Sequence, residues 1–501
     1  MFSPKRIGVV GAGNMGLQAA MVLADQGFPV YLFDRPGIAA KNLAGAVKNK
    51  LGSLTGRQRV TALDMIPGNY LFLGECDWIL EAVYEDRKVK DTVNAIIASH
   101  LKPGAFVTTN TSGISFNDLA QTIGPEFAKR YALTHFFNPI KVLPLLEVCG
   151  ADGVDAEAYA EFCEFAEFIL GKRVVHVKDT PNFVGNRIGG LSLFLPFHLP
   201  TDGLKIPDIE AIMQVMFGWC PFKTWDLVGL DLAKPVGGNV FDRASDDPLH
   251  DWWNPAIPQI QVLLDKGIIG RKGKSQSGFL ARNGRQKLCY DFTTGEYVPA
   301  ELTGYAMLAT AMSAKSQADK LKLMLTSDSD DPDVRFAKAA FFTMAAYSAN
   351  MVGKICDEFV DIDACLETGF NWPAGIFRLV QVFGIRETIM GIHTQSLSGM
   401  IPDWLTDMGE RGNLLYGQSE DAVFSVQVAG MVSKPVIKDG IYPDKLAMDT
   451  CNVVARTPDM TTLDISDHDG NVVLAMITTK SNAINTGVLD GLNRAMDTTE
   501  R

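Results

Sequence analysis

The sequence of 501 residues is too long for a single hydrophobic core, and its length favours roughly three domains. Hydrophobic residues make up 47% and charged residues 21% of the chain, a composition typical of globular proteins. The net charge of −12 at pH 7 argues against nucleic acid or an anionic membrane as a partner, although a phosphate-bearing small ligand needs only a local positive site.

Cysteine usage and the N-terminus bear on the cellular compartment. The eight cysteines are scattered, without the Cys-x-x-Cys or His/Cys spacing of a metal site, which favours a reducing compartment and predicts no metal ligand. The first strand is predicted within about five residues of Met1, which leaves no room for a signal peptide. No apolar run approaches the ~18 residues of a membrane helix. We therefore expect a cytoplasmic protein without membrane insertion.

The N-terminus shows a nucleotide-binding pattern. A short apolar run at 6–10 ends at the sequence GAGNMG, residues 11–16, and a helical pattern follows. In this order of strand, loop and helix, Gly11 permits a tight turn, Gly13 lets the backbone approach a pyrophosphate and Gly16 lets the helix pack closely on the strand. The helix N-terminus offers free N–H groups and a positive dipole end to the phosphates. The predicted phosphate-binding residues are Gly11, Gly13, Asn14, Met15 and Gly16.

A second buried strand is predicted at 29–33 and delivers Asp34 at its carboxyl end, 18 residues after Gly16. A carboxylate at this position can bind a ribose 2′-hydroxyl and would repel a 2′-phosphate. The sequence therefore favours NAD over NADP as cofactor. Arg35, directly after the carboxylate, weakens that preference slightly.

Further strand-like runs at 77–83, 105–109, 131–134 and 174–177 alternate with helical patterns and predict a sheet of the doubly wound type. The run at 105–109 leads into Asn110-Thr111-Ser112. Because parallel sheets place ligand groups at the carboxyl ends of their strands, Asn110 and Ser112 are candidates for contacts to cofactor or substrate. Plain turn and helix-cap chemistry explains the same residues.

The stretch from His135 to Glu147 contains a base, the amide of Asn138 and a carboxylate within 13 residues. A neutral imidazole titrates near pH ~6.5, so it can take a proton from an alcohol at neutral pH. Glu147 lies on a predicted strand at 145–148, where it could fix the imidazole tautomer and stabilise the imidazolium. The spacing alone fits equally well a structural histidine whose hydrogen bonds are made within the core, beside an unrelated strand.

From residue 181 onward the pattern becomes helical. Residues 182–188 predict the start of a long helix that carries Asn186 toward the cleft, although the residues alone favour a helix-surface amide. A weak repeat follows: DIEA at 208–211 precedes FGW at 217–219, and DIDA at 361–364 precedes FNW at 370–372. The distance from the first Asp to the Trp is eleven residues in both copies. Two similar helical units are therefore predicted.

Together these residues resemble the L-3-hydroxyacyl-CoA dehydrogenase family of fatty-acid β-oxidation over residues 5–290. The glycine loop, EAVYE at 81–85 with KVK at 88–90, and NTS at 110–112 carry part of this resemblance. HFFNP at 135–139 with Glu147 carries most of it, and PNF at 181–183, Asn186-Arg187 and GRK at 270–272 complete it.

The resemblance implies NAD-dependent oxidation of an L-3-hydroxyacyl-CoA to the 3-ketoacyl-CoA, with His135 as catalytic base and Glu147 as its partner. It also implies that Ser112, Asn138 and Asn186 bind the substrate oxygens or the nicotinamide region. The remaining residues that it implies for the NAD site, together with the glycine loop, are Asp34, Ala82, Glu85, Lys90, Ser112 and Lys272. A dehydrogenase of small free hydroxy acids and a catalytically silent NAD-binding protein are the alternatives.

The implied fold is α/β, with a Rossmann-type doubly wound sheet at 1–180 followed by two all-helical units at 181–295 and 296–410. The second unit would be a degenerate, structural copy without the catalytic histidine. The segment after Asp34 is shorter than the helical hairpin that covers CoA in the family, which leaves the contacts to the adenosine end of an acyl-CoA substrate open.

The C-terminal residues carry a second resemblance. Residues 411–458 are interpreted as a connector, and residues 459–501 resemble the opening of an enoyl-CoA hydratase (crotonase) domain fused after the dehydrogenase. We therefore expect a truncated member of the fused enzymes, without hydratase activity; a strand–helix tail is the alternative. A homodimer is among the expected states, because dimerisation through the helical domains is common in the family.

Overall fold

The computed structural model describes residues 2–273, 275–417, 422–427, 430–433, 453–456, 460–464 and 473–477. The chain divides into two compact units. The main unit is built from residues 1–416 with 424–430, and the C-terminal unit from residues 417–423 with 431–501.

The N-terminal part of the main unit alternates strands and helices, because buried apolar runs of four to six residues are followed by helical segments that cover the sheet. Its elements are β1 (Ile7–Val10), α1 (Asn14–Asp25), β2 (Val30–Asp34), α2 (Ile38–Ala46), α3 (Leu54–Gln58), β3 (Val60–Asp64), β4 (Trp78–Glu81), α4 (Arg87–His100), β5 (Phe106–Thr109), α5 (Phe116–Ile123), α6 (Pro125–Ala128), β6 (Tyr131–Phe136), β7 (Leu145–Gly150), α7 (Ala156–Glu164) and β8 (Arg173–His176).

The eight strands form one sheet in the order β3-β2-β1-β4-β5-β6-β7-β8. All neighbours pair in parallel except β6 and β7, which are antiparallel. The strand order reverses between β1 and β4, and a doubly wound sheet opens its ligand crevice at that point, beyond the carboxyl ends of the strands. The predicted Rossmann-type sheet is confirmed. Strand β3 was not among the strand-like runs that the sequence predicted.

The second part of the main unit is mostly helical. Its elements are α8 (Gly190–His198), α9 (Ile206–Phe217), α10 (Pro221–Val228), α11 (Ala233–Arg243), α12 (Pro258–Asp265), β9 (Leu280–Asn283), β10 (Gln286–Asp291), β11 (Glu296–Pro299), α13 (Ala306–Ser313), α14 (Gln317–Thr326), α15 (Pro332–Met351), α16 (Phe359–Gly369), α17 (Ile376–Phe383), α18 (Ile385–Thr394) and α19 (Asp403–Arg411).

The first helical unit contains an antiparallel meander, so the prediction that it is all-helical is wrong in this stretch. Strand β10 pairs with both β9 and β11, and the predicted unit boundary at 295 falls inside the β10–β11 hairpin. The two turns use Gly284 and Gly295 at positive φ, 58° and 73°. Glycine relieves the steric cost of such a turn.

The two helical units pack against each other through the ends of their repeated motifs. Helix α9 ends at Phe217 and helix α16 at Gly369, and the ring of Phe217 lies 4.9 Å from that of Trp372. A buried ion pair adds a polar link: Arg187 pairs with Asp247, and Tyr347 on α15 donates to Asp247 at 2.7 Å. The first unit therefore buries part of its surface against the second.

The strands C-terminal to α19 are β12 (Ala422–Ser425), β13 (Gly430–Ser433), β14 (Val453–Arg456), β15 (Met460–Asp464) and β16 (Val473–Ile477). In the C-terminal unit, β14, β15 and β16 form an antiparallel sheet. Strand β16 lies in the stretch 459–501 that resembles the opening of a crotonase domain. Most of the predicted connector at 411–458, and the residues after 477, lie outside the described residues.

None of the helices in the described residues combines the length and the hydrophobicity that crossing a membrane requires. The same residues contain no group of three or more His, Cys, Asp or Glu side chains arranged to hold a metal ion.

Candidate functional site

The glycine loop after β1 has the three backbone features that the sequence predicted. Gly11 adopts φ +107°, and a Cβ on it would overlap the backbone carbonyl of Ala82 at the end of β4. A Cβ on Gly16 would overlap the carbonyl oxygen of Gly11. A Cβ on Gly13 would meet nothing within 4 Å. The first and third glycines thus permit close packing, while the second faces open space that a pyrophosphate can approach.

Helix α1 begins at Asn14 directly after this loop, and no side chain caps its N-terminus. The Asn14 side chain instead accepts a hydrogen bond from Gln18 Nε2 at 3.0 Å. The first backbone N–H of α1 with an intrahelical partner is that of Leu17, which donates to Gly13. The preceding amides, including that of Met15, and the positive end of the helix dipole therefore fit an anionic group.

Asp34 ends β2 beside the glycine loop. Its Oδ2 accepts from the Ala12 N–H at 2.6 Å and its Oδ1 from the Arg35 N–H at 2.7 Å. These bonds fix the carboxylate next to the loop, where a ribose hydroxyl would lie beyond the pyrophosphate. The Arg35 side chain is 86% exposed, and its Nε lies 3.7 Å from Asp34 Oδ1.

The loop that carries Ser112 is held by Glu85. Glu85 Oε1 accepts from Thr111 Oγ1 at 2.6 Å and from the N–H groups of Ser112 and Gly113 at 3.0 and 2.9 Å. Its other oxygen lies 3.3 Å from Lys90 Nζ. Burial opposes ionisation of this carboxyl, but the Lys90 ammonium and these hydrogen bonds outweigh it and hold its pKa below the usual value.

Lys90 is enclosed beneath this loop. Its side chain is 1% exposed, and Nζ donates to both oxygens of the buried Glu81 at 2.9 and 3.0 Å. Thr109 Oγ1 also donates to Glu81, at 2.6 Å. The Lys90 ammonium, which was predicted to line the NAD site, is therefore paired with two carboxylates. It contacts the Ser112 loop through Glu85.

His135 and Glu147 face each other across the antiparallel strands β6 and β7, as a directly opposed pair in the register. His135 Nδ1 lies 2.6 Å from Glu147 Oε2, and both side chains are buried. The rings of Phe137 and Phe183 lie 4.9 and 5.6 Å from the imidazole. In the described part of the chain Nε2 has no hydrogen-bond partner. Glu147 therefore orients the imidazole of His135 and leaves its Nε2 available.

The second oxygen of Glu147 is anchored by the backbone. Oε1 accepts from the N–H groups of Val184 and Gly185 at 2.9 and 2.6 Å. These amides follow a turn in which Asn182 and Phe183 adopt positive φ, 66° and 50°. An aromatic residue rarely adopts this conformation, which costs on the order of 1–3 kcal/mol per residue. The sequence signalled neither the turn nor its amides; only the PNF motif marked the position.

The predicted substrate-binding amides differ in their surroundings. Asn138 is exposed, and its Oδ1 accepts from Gln18 Nε2 on α1 at 2.9 Å. Asn186 is half-buried, in the π-helical turn Gly185–Gly189, which continues directly into α8 and so lies at the start of a helix, as predicted. Asn110 uses its Oδ1 to accept the Phe136 N–H at 2.9 Å and so fixes the end of β6. Ser112 is half-buried on its loop, and among the described residues only its N–H has a hydrogen-bond partner.

Lys272 stands apart from the other predicted residues. It belongs to the helical part, where its Nζ pairs with Asp231 at 2.7 Å and packs over Gly229. The structure gathers most of the other predicted residues into three groups. The glycine loop, Ala82 and Asp34 lie at the switch point of the sheet. Glu85 and Lys90 contact each other beside the Ser112 loop, and His135 pairs with Glu147 beside the turn at Asn182 and Phe183.

Comparison with known proteins identifies the family of the N-terminal part. Residues 6–180 match the family model described as 3-hydroxyacyl-CoA dehydrogenase, NAD binding domain. A probable 3-hydroxyacyl-CoA dehydrogenase of Bacillus subtilis is 29% identical over 99% of this chain, which spans 65% of that relative's length. The N-terminal part of the chain is therefore an NAD-binding domain, as the glycine loop and Asp34 predicted.

A second relative and a solved structure extend the comparison. The crystal structure of 3-hydroxybutyryl-CoA dehydrogenase from Escherichia coli K12 aligns with a TM-score of 0.59 at 20% identity, over 82% of this chain and 99% of the other. At that identity the likeness shows the fold alone. A probable 3-hydroxyacyl-CoA dehydrogenase of Deinococcus radiodurans is 30% identical over 304 residues, 58% of this chain and 86% of the relative. The chain belongs to the 3-hydroxyacyl-CoA dehydrogenase family.

Proposed function

We propose that this protein oxidises an L-3-hydroxyacyl-CoA to the 3-ketoacyl-CoA with NAD. The observation that carries the proposal is the buried hydrogen bond of 2.6 Å between His135 Nδ1 and Glu147 Oε2, which leaves Nε2 without a partner among the described residues. A protein that only binds NAD would need the glycine loop and Asp34, but it would have no use for an oriented base. The names of the two bacterial relatives support the choice of an acyl-CoA substrate.

Each residue of the pair has a distinct role in the proposal. His135 Nε2 takes the proton of the substrate hydroxyl, and Glu147 fixes the tautomer and stabilises the imidazolium that forms. NAD, when bound, supplies the hydride acceptor. Because Glu147 is anchored by two backbone amides, it stays in place while the imidazole changes charge. Such a preorganised carboxylate stabilises the developing positive charge without rearranging.

The remaining predicted residues complete the proposal. Ser112, Asn138 and Asn186 orient the substrate oxygen or the nicotinamide, a positioning effect that can lower the barrier by several kcal/mol. The glycine loop, Asp34 and Ala82 bind NAD. Glu85 and Lys90 hold the Ser112 loop from below. Lys272 keeps its proposed place in the NAD site only if the helical part brings it there when the cofactor binds.

The test is NADH oxidation with acetoacetyl-CoA by the parent and by His135→Gln, with NADH binding measured separately by fluorescence. We expect turnover by the parent and a loss of at least about 100-fold in His135→Gln, because general base catalysis supplies that much. NADH affinity should stay within about twofold, because the base does not bind the nucleotide. His393→Gln, at an exposed histidine on α18, is the matched control and should match the parent.

Two outcomes would contradict the proposal in different ways. If the parent binds NADH but turns over neither acetoacetyl-CoA nor free acetoacetate, it is a silent NAD-binding protein. If it reduces acetoacetate at least as efficiently as the CoA ester, it is a dehydrogenase of small free hydroxy acids.

A further inference from the structure

Helix α16, in the second helical unit, lies directly behind the carboxylate of Glu147. Cys365, at the middle of this helix, has its Sγ 3.9 Å from Glu147 Oε1, and both side chains are fully buried. The same oxygen accepts the amides of Val184 and Gly185. The thiol is therefore a third neighbour of the oxygen that does not face His135.

The end of α16 interlocks with the surroundings of this carboxylate. A Cβ on Gly369 would overlap the side chain of Leu145 on β7, and a Cβ on Gly189 would overlap the ring of Phe370. The ring of Phe370 also lies 6.0 Å from that of Phe137, which packs edge-on against the imidazole of His135. These close approaches leave α16 little freedom to slide along the sheet.

The chemistry of the thiol suits a hydrogen-bond donor. A thiol donates weakly and reaches farther than a hydroxyl because sulfur is larger. Burial and the neighbouring Glu147 charge raise the pKa of Cys365 well above its usual value, so the sulfur keeps its proton. An S–H group beside a buried carboxylate oxygen satisfies one more of its lone pairs in a region that excludes water.

We propose that Cys365 is a positioning residue, through which the second helical unit holds Glu147 in the orientation that serves His135. This proposal gives the second unit a role in the site beyond that of a structural copy. The proposal rests on the proposed function, because Glu147 has a chemical role only if His135 acts as a base. The thiol touches neither substrate nor cofactor in this proposal; it acts through the carboxylate.

The test compares Cys365→Ala and Cys365→Ser with Cys356→Ala. Cys356 is an equally buried thiol just before α16, and it donates to the backbone oxygen of Glu358 rather than to Glu147. We expect Cys365→Ala to lower kcat about two- to fivefold, with the KM for NADH unchanged, because only the orientation of Glu147 is disturbed. Cys365→Ser, which keeps a donor, should recover part of the loss. Cys356→Ala should match the parent.

A second readout does not depend on turnover. The Nδ1–H proton of His135 gives an NMR resonance that reports its hydrogen bond to Glu147, and His135→Gln assigns it. We expect this resonance to move upfield in Cys365→Ala, as the hydrogen bond weakens, and to stay in place in Cys356→Ala. If the parent is inactive but the resonance moves, the proposed function fails and the positioning contact stands. An unmoved resonance, or equal kcat and equal thermal unfolding in both alanine variants, would overturn the inference.

Discussion

Glu210 and Asp363 hold equivalent positions in the two helical units, each as the third residue of the repeated motif. Glu210 accepts the Phe222 N–H at 2.6 Å, at the start of α10. Asp363 accepts the Phe377 N–H at 2.9 Å, at the start of α17. Each carboxylate therefore ties the repeated helix to the helix that follows it. The repeated motif thus makes the same helix-to-helix contact in both units.

The first prediction concerns how stability depends on pH. Burial raises the pKa of Glu210 to about 7. Its folded-state pKa thus lies above that of the unfolded chain, about 4.3. The resulting stabilisation is fully present below pH ~4 and is lost as the pH rises toward about 7, because the folded state binds the proton more tightly in this window.

Glu210→Gln keeps an oxygen for the amides of α10 and removes the titration. The free energy of unfolding, measured by urea denaturation, should fall less between pH 5 and pH 8 in this variant than in the parent. We expect the difference between the two losses to be on the order of 1–2 kcal/mol after allowance for solvent screening. The control is Glu126→Gln, whose side chain is 84% exposed on α6. Equal pH slopes in Glu210→Gln and the parent would contradict the prediction.

The glycine loop gives the second prediction, because two of its glycines are required for different reasons. Gly16→Ala would drive a Cβ into the Gly11 carbonyl, and we expect it to destabilise the fold by about 3 kcal/mol or more. The Cβ that Gly13→Ala adds enters open space, so the free energy of unfolding should change little. NADH binding should weaken about tenfold or more, because the methyl group occupies the space that the pyrophosphate needs. Calorimetry and a fluorescence titration measure the two effects. Equal effects of both substitutions on stability would show that the space at Gly13 is not kept for a ligand.

The third prediction tests Asp34. Asp34→Asn removes the negative charge that disfavours a 2′-phosphate and leaves Arg35 exposed beside it. We expect the KM for NADH to rise and the NADH/NADPH ratio of kcat/KM to fall about tenfold or more. Asp64→Asn, at the end of the neighbouring strand β3, is the control and should leave the ratio unchanged. An unchanged ratio in Asp34→Asn would count against a role at the ribose.

The fourth prediction separates two roles for Glu85. If Glu85 holds the Ser112 loop, as its hydrogen bonds indicate, Glu85→Gln should lower kcat with acetoacetyl-CoA several-fold and leave the dissociation constant of NADH within about twofold. A direct contact to NAD would instead weaken NADH binding. Measuring both constants in the same variant decides between them.

The sequence predicted the parts of the site that depend on local chemistry. The glycine loop and Asp34 were predictable because a tight turn, a close helix packing and a strand end each impose a residue type within a few positions. The His135–Glu147 pair was open from spacing alone, and only the family resemblance favoured it. Strands β6 and β7 bring the two residues together because they pair directly across an antiparallel ladder.

The parts that the sequence missed depend on contacts between distant segments. The amides of Val184 and Gly185 reach Glu147 across 37 and 38 residues, and Cys365 reaches it across 218. No local pattern encodes such contacts. Lys90 was predicted to line the NAD site, but its ammonium is enclosed and paired with Glu81 on β4 and with Glu85 in the loop that follows.

The direct cross-strand pairing of His135 and Glu147 also sets a rule for insertions and deletions. Side chains alternate between the two faces of a strand, so one residue added within β7 ahead of Glu147 would turn its carboxylate to the opposite face. Two residues added there would restore the face but shift the carboxylate along the strand, away from its partner. Between β6 and β7, residues can be added without altering either strand's alternation. Length variation among homologues should therefore collect in that connection and spare both strands.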